Sequence, residues 1–539
     1  MNFAHHFYLV SSKKYAKTLV GLLSLCSLAS THSQVLDIEV ERFDVHGNTL
    51  LESKQLNQVL GVLPRKMNSE SIQLTAQDLQ QAYRSLGYGA VVVHVPEQTL
   101  TGGTLRFDVI EGKLRQVQVT GQQKFSDTNI LRSLPALQLG QTPHLSELDS
   151  QLLMANENPA KTVRVVFQPG ERRGDVEGLV VVEEQPQDRW LLSLDNTGNR
   201  SSGNYRMHLN YQHANVADRD AVWGFRASTS PTQVSDVLVL GSTLRVPLYG
   251  HKTFLEGALL ASNTRSANNA TPAGELRFSG SGLAIGARVV WTLPSLSETK
   301  RQASVGIDAR RYRSQCSLGD LGEAGCGIAS HSIKVLPFTA ALVWQQQGRH
   351  SLAVEWVANL PLGNAGNDAS FESSRPGARS NYQLLRASAY AQQRLTDDWS
   401  LSARTNAQWS NQPLVSAEQF GVGGAYSVRG YEERALNTDA GITASLELHR
   451  VLTLLTGGQR SAQTPTLAFF MDAAHVRNKH GTACQQGRTQ CQLWSVGAGL
   501  RYVPTPNTTF RLDIARTGMA VNSTRAGEWR LHFNVSYGL

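Results

Sequence analysis

The sequence predicts two small α+β domains followed by a 16-stranded antiparallel transmembrane β-barrel. Three observations carry that prediction: an N-terminal export signal, a unit of strand and helix that occurs twice, and a long C-terminal region of strictly alternating segments. The chain has 539 residues, 41% of them hydrophobic and 17% charged, with a formal net charge of +8. Such a composition excludes a disordered tail and a single small domain. Lys13, Lys14 and Lys17 supply three of the charges, and no acid precedes Asp37. The remaining excess of positive charge gives little support to nucleic-acid binding.

The basic stretch, the apolar run 18–29 and the small residues Ala29 and Ser33 form the three parts of a secretory signal, which places its end at 33. A lipid-anchored start at Cys26 is disfavoured because Leu25 stands where a small residue is wanted. Beyond residue 33 no apolar run reaches the roughly 18 to 20 residues that a spanning helix needs.

The first small domain is read over 34–113. A strand at 38–45 precedes a turn at Gly47 and Asn48 and a helical pattern over 51–60. A second helix is expected to begin at Thr75 as its N-cap, because Leu79, Ala82, Tyr83 and Leu86 then share one face. Gly87 and Gly89 stop it, and β-rich runs follow at 90–95 and 105–110. The same order returns over 114–186, with strands at 114–119, 162–167 and 179–182 and helices near 127–134 and 145–155. Three strands under two helices leave a strand edge and a groove open to a partner.

From 187 to 539 helical periodicity gives way to segments of about ten residues that alternate apolar and polar. In the last segment Trp529, Leu531, Phe533, Val535, Tyr537 and Leu539 share one face, against Arg530, His532, Asn534, Ser536 and Gly538. Ala444, Leu446 and Leu448 likewise oppose Thr443, Ser445, Glu447 and His449. Long strands with aromatics at their ends indicate lipid outside and water inside. About 350 residues accommodate about sixteen strands of roughly 11 residues, with short and long connections alternating. An even count returns both barrel ends to the periplasmic rim.

Cys316 and Cys326 fall in one expected outer loop, and Cys484 and Cys491 in another. Four cysteines allow three pairings, and the two local ones join residues of a common loop. Neither pair has the close spacing of a zinc site, and no metal or cofactor is expected. Nucleotide-binding, zinc-protease and serine-hydrolase motifs are absent from the sequence, so an enzyme is disfavoured. The glycines at 421–424 read as a flexible loop, because Tyr426 stands where a dinucleotide fingerprint wants its last glycine.

Those glycines lead into Val428, Arg429, Gly430 and Tyr431, within the longest expected loop, 411–440; Phe470, Met471 and Asp472 follow one hairpin later. These two motifs resemble the signatures of the two-partner-secretion transporters, the TpsB family of haemolysin and filamentous-haemagglutinin secretion and activation type. The N-terminal half resembles their two polypeptide-transport-associated (POTRA) domains: Val95, Pro96, Gln98, Leu100, Gly103, Leu105, Val109, Glu111 and Gly112 match the end of the first, and Asn156, Asn158 and Pro159 the second. Asp195, Asn196 and Gly198 match the first barrel strand. The resemblance covers nearly all of the mature chain and belongs to the wider POTRA-plus-barrel outer-membrane superfamily.

The resemblance implies a sixth outer loop folded into the barrel, with Arg429 near its tip meeting Asp472 on the inner wall. Strand parity agrees, since Phe470 and Asp472 lie opposite Leu467, Phe469 and Met471. It implies an outer-membrane protein with periplasmic POTRA domains that translocates an unfolded exoprotein bearing an N-terminal secretion domain, such as an adhesin or haemolysin. Outer-membrane lipids and the barrel-assembly machinery are the other expected partners, and nucleic acid is not one. The family commonly carries an N-terminal plug helix; only about five residues separate the expected cleavage point from Ile38, so no plug is expected, and the resting channel should be closed mainly by the inward loop or be leaky. Leu539 stands where such barrels often end in an aromatic, so assembly recognition is expected to lean on Tyr537. Two alternatives stay open: an outer-membrane protein assembly factor, which usually has more periplasmic repeats, and a passive solute porin, which needs neither the two domains nor the loop.

Overall fold

The computed structural model describes residues 37–199, 202–265, 269–271, 274–294, 299–318, 331–346, 348–453, 461–481, 483–485 and 487–539. The expected signal segment 1–33 and Cys326 lie outside the described residues. Two compact units form, one from residues up to Ala82 with Val93–Val109, the other from Tyr83–Val92 with Ile110–Leu539.

In the first small domain the strand Arg42–His46 runs parallel to Thr104–Glu111, which is central in a three-stranded sheet with Val91–His94. The helix Ser53–Leu60 is followed by a short strand, Arg65–Met67, that pairs antiparallel with Ile38–Val40. The sequence reading lacked this strand, because three residues are too few for an alternation to register. It also misplaced the second helix, which spans Ser69–Ser85. Thr75 is no cap: its hydroxyl donates to the Ser71 carbonyl one turn back at 2.8 Å. Asn68 supplies the capping oxygen, accepting from the Ser71 N–H at 2.8 Å, while the Ser71 hydroxyl accepts from the Asn68 N–H. The helix opens on the polar residues Ser69, Glu70 and Ser71, and its buried face starts at Ile72, ahead of the Leu79, Ala82, Tyr83 and Leu86 set on which the sequence pattern rests.

The second unit opens with the repeat of the same design. Lys113–Thr120 runs parallel to Asp175–Glu184, which also pairs antiparallel with Lys161–Pro169. The helices Asp127–Arg132 and Leu145–Ala155 cover this sheet and bury Ile130, Leu134 and Leu148 against Val163, Val180 and Val182.

Sixteen antiparallel strands then close a barrel. We number them β1 (Asp188–Asp195), β2 (Arg206–Val216), β3 (Ala221–Thr229), β4 (Val237–Leu248), β5 (Thr253–Arg265), β6 (Gly274–Thr292), β7 (Thr299–Leu318), β8 (Pro337–Gln346), β9 (His350–Asn359), β10 (Gln383–Arg394), β11 (Trp399–Ser410), β12 (Ala440–Val451), β13 (Thr466–Arg477), β14 (Gln490–Thr505), β15 (Thr508–Thr517) and β16 (Trp529–Gly538). The short strand His331–Val335 continues the ladder beside the upper part of β7. β16 closes on β1 from Asn534 opposite Asp195 to Gly538 opposite Leu191. Above this short register the Asn196 side chain extends the seam: its amide donates to the Leu531 carbonyl at 2.7 Å and accepts from the Phe533 N–H at 2.9 Å. Closure leaves no unpaired edge, which is what allows strands to stand in lipid.

Alternation sorts the wall as the pattern predicted. Ile442, Leu446, Phe469, Met471, Ile514 and Leu531 are exposed on the outer surface, whereas Thr443, Ser445, Ala468, Phe470, Asp472, Asp513 and His532 are buried within the bore. Two barrel turns also fasten the second small domain. Lys161 Nζ pairs with Asp220 Oδ2 at 2.7 Å and with Asn129 Oδ1 at 3.1 Å, and the Tyr249 hydroxyl donates to Asp220 at 2.6 Å. Burial holds the Lys161 ammonium below its ordinary range even with Asp220 beside it. The resemblance-bearing Asn158 works here too, donating to the Ala214 carbonyl at 2.7 Å.

Candidate functional site

The sixth outer loop, 411–439, enters the bore as an ordered hairpin. Phe420–Val422 pairs with Leu436–Thr438, and between these short strands the chain folds back on itself at Gly423 and Gly424. Both glycines have left-handed φ, 105° and 102°. A Cβ on Gly423 would stand 2.6 Å from the Glu432 carbonyl. The glycine run therefore builds a defined turn that a side chain at 423 would obstruct.

That turn delivers Arg429 to the wall with no exposure at all, and Asp472 on β13 is equally buried. The guanidinium grips the carboxylate through two parallel bonds, Nε to Oδ2 and Nη2 to Oδ1, both 2.7 Å. The Arg429 backbone N–H adds a third, to Oδ2 at 3.1 Å. Nη2 also donates to the Ser445 hydroxyl at 3.1 Å, and Nη1 lies 2.7 Å from Glu447 Oε1, both on β12. The guanidinium carbon stands 3.3 Å from the Phe470 ring centroid. A planar fork satisfies this double geometry, and lysine does not.

The surrounding charges are paired. Arg429, Arg501 and Arg511 meet Asp472, Glu447 and Asp513: Asp513 accepts from Arg511 at 2.8 Å, pairs with Arg501 at 2.7 Å and lies 3.7 Å from Arg429. Paired charge is what a buried network requires. Gly430, at φ 93°, turns the chain so that its N–H donates to His532 Nε2 at 2.9 Å. The Tyr431 hydroxyl reaches the carbonyls of Trp494 and Met519 at 3.1 and 3.0 Å and accepts from the Met519 N–H. Val428 and Tyr431 pack with Val422, Leu436, Val476, Leu493 and Val521.

Of the six residues singled out in the two motifs, Arg429 thus contacts Asp472 and Phe470 directly, and Val428, Gly430 and Tyr431 fix the turn beside them to neighbouring parts of the wall. Ser445, Glu447, Asp513 and His532 complete the site and were not anticipated. Parity puts each of them in the bore, but which bore residues meet depends on the stagger of strands far apart in sequence. Cys484 and Cys491 are disulfide-bonded, Cys484 in the loop after β13 and Cys491 within β14, and the bond flanks the apolar pocket that holds the loop. Cys316 lies within β7, and its expected pairing with Cys326 falls outside the described residues.

A family model described as haemolysin secretion/activation protein ShlB/FhaC/HecB matches residues 177–502, and one described as POTRA domain, ShlB-type, matches 38–112. The outer membrane transporter CdiB of Dickeya dadantii (strain 3937) is 23% identical over 483 residues, covering 84% of this chain and 78% of its own. The heme/hemopexin transporter protein HuxB of Haemophilus influenzae (strain 86-028NP) is 18% identical over 507 residues, covering 89% and 83%. The solved structure of CdiB from Escherichia coli shares the fold at a TM-score of 0.78 with 18% identity, over 96% of this chain and 93% of that one. The first family model spans more than half of the sequence, and its limits enclose the inward loop and the wall residues Ser445, Glu447 and Asp472 that receive its tip. The chain belongs to the ShlB/FhaC/HecB family of haemolysin secretion/activation proteins, outer-membrane β-barrel transporters with periplasmic POTRA domains.

Proposed function

We propose that this transporter captures an unfolded partner exoprotein in the periplasm and passes it through the barrel to the cell surface. The observation that carries the reading is the loop 411–439, a polypeptide segment held inside a closed bore by the Arg429–Asp472 clamp. A bore that seats one stretch of main chain is suited to conducting another, and a loop docked by side-chain bonds can undock without breaking the barrel ladder.

Each small domain keeps outer strand edges, Arg42–His46 and Val91–His94 in one, Lys113–Thr120 and Lys161–Pro169 in the other. An extended segment of the partner added to such an edge gains main-chain hydrogen bonds without demanding one sequence. Export draws on no nucleotide; folding of the partner outside removes unfolded chain from the equilibrium and pulls translocation forward. The relatives' names point to haemolysin-like or haem-acquiring exoproteins as the partner class, recognised through an N-terminal secretion domain. Outer-membrane lipids contact the apolar belt, and the barrel-assembly machinery inserts it.

Deletion of the gene in its Gram-negative host should remove at least one large exoprotein from the culture supernatant, and wild-type but not Arg429→Ala protein should restore it. Normal appearance of every exoprotein in the deletion strain sinks the reading. A solute porin predicts instead that Arg429→Ala changes conductance without abolishing export of any protein.

A further inference from the structure

The inward loop touches the wall at a second place, and the chemistry there is the reverse of the Arg429 clamp. Glu418, on the ascending arm, is only 1% exposed. Its Oε1 accepts from Arg310 Nη1 at 2.9 Å and from the Tyr312 hydroxyl at 3.2 Å, both on β7, and its Oε2 accepts from Arg386 Nη2 on β10 at 3.3 Å. The tip, by contrast, bonds to β12, β13 and β16 and to the β15–β16 loop. The loop therefore spans from one wall to another, anchored by an anion at one end and a cation at the other.

The two anchors differ in what release leaves behind. Every hydrogen bond that the Asp472 carboxylate accepts among the described residues comes from Arg429, so undocking the tip strands a buried anion. When Glu418 leaves, Arg310 keeps Asp308 at 2.6 Å, and Arg386 keeps Gln408 at 2.9 Å and Glu355 at 3.6 Å. The surroundings differ as well. Val428 and Tyr431 of the tip are packed in an apolar cluster, whereas Phe420 and Gly421, just past Glu418, border a cavity of about 650 Å³ that Arg288, Glu355, Arg386 and Gln408 also line and that extends to Tyr426. Leu414 and Val415 on the same arm meet Phe371 and Tyr382 of the fifth outer loop, 360–382, and Arg375 of that loop pairs with Asp439 at the foot of the sixth. Movement of the arm therefore carries the cover of the outer mouth with it.

We propose that Glu418 is a positioning residue and the releasable latch of the inward loop: it leaves Arg310 and Arg386, the arm swings into the cavity, and the mouth opens while Arg429 stays on Asp472. This rests on the translocation reading, but its test needs no cargo, so either can fail without the other.

The test uses the full chain in planar bilayers and, with spin labels, in detergent. One label sits at Asp397 in the β10–β11 turn, the other at Ala417 on the arm or at Tyr426 near the tip. Glu418→Gln should raise the open fraction on the order of tenfold, the factor expected for one lost charge-assisted bond. It should lengthen and broaden the 397–417 distance and leave 397–426 unchanged. Combining it with Arg310→Gln and Arg386→Gln should raise the open fraction no further, since the contact with Glu418 is the one through which both arginines hold the loop. Should Glu418→Gln fail to fold, Glu418→Asp keeps the charge one methylene short and should give an intermediate open fraction. An open fraction equal to wild type, or both distances lengthening together, overturns the proposal.

Discussion

Arg429 and Asp472 form a bidentate, fully buried ion pair in the bore, and its energetics are asymmetric. Two buried partners together contribute little beyond their desolvation, but removing one leaves the other unpaired at a cost of about 3–5 kcal/mol. Asp472→Ala should therefore undock the loop tip by about that amount, seen as loss of hydrogen-exchange protection at 425–431, with the barrel ladder unaffected. Protection equal to wild type would show that the neighbouring Glu447 holds the tip alone. A different residue sets a pH dependence. Burial opposes the charge on Asp218 in the β2–β3 turn, yet hydrogen bonds from Ser126 and Asn215 hold its carboxyl below the ordinary range. A depressed folded-state value means that its contribution is full above the ordinary carboxylate range and is lost as pH falls through the depressed value. Exchange at 126–132 should therefore accelerate as pH falls below the ordinary aspartate range. Asp218→Asn should abolish that step.

At the scale of elements, the loops over the bore are built as packed structures. The Cys484–Cys491 bond closes a short segment, a sequence separation of 7, next to the pocket that holds Val428 and Tyr431. A loop of that length confers about 2–3 kcal/mol in the chain-entropy account. Cys484→Ser should lower the local stability of 478–491 by about that much and loosen the loop tip secondarily, measured by exchange with and without reductant. Equal exchange in both proteins would mean that Gln485 and the Cys484–Arg488 main-chain bonds suffice. The helices show where pattern fails. Leu145–Ala155 was legible because Leu145, Leu148 and Leu152 mark one face, but the start at Ser69 was not, since an Asn–Ser cap leaves no apolar trace.

For the whole molecule, the closed ladder and the docked loop are separable parts, so removing the loop should open the pore and leave the barrel intact. Deletion of 411–440 is expected to convert a mostly closed channel into a steadily conducting one in planar bilayers, while the protein keeps the heat-modifiable gel mobility of a folded barrel. A tightly shut pore after that deletion would assign closure to some other element. The sequence by itself determined the architecture: two repeats of strand and helix, sixteen spans, and the face each wall residue takes. Alternation and periodicity are local properties, and burial in lipid or bore follows from them one residue at a time. Fold resemblance also pointed from Arg429 to Asp472. Only the tertiary structure decided that Ser445, Glu447, Asp513 and His532 converge on that pair, that Glu418 faces Arg310 and Arg386 across the bore, and that Lys161 is sealed against Asp220. These contacts join strands distant in sequence, and their meeting is set by the stagger at which the barrel closes, a quantity carried by no single segment.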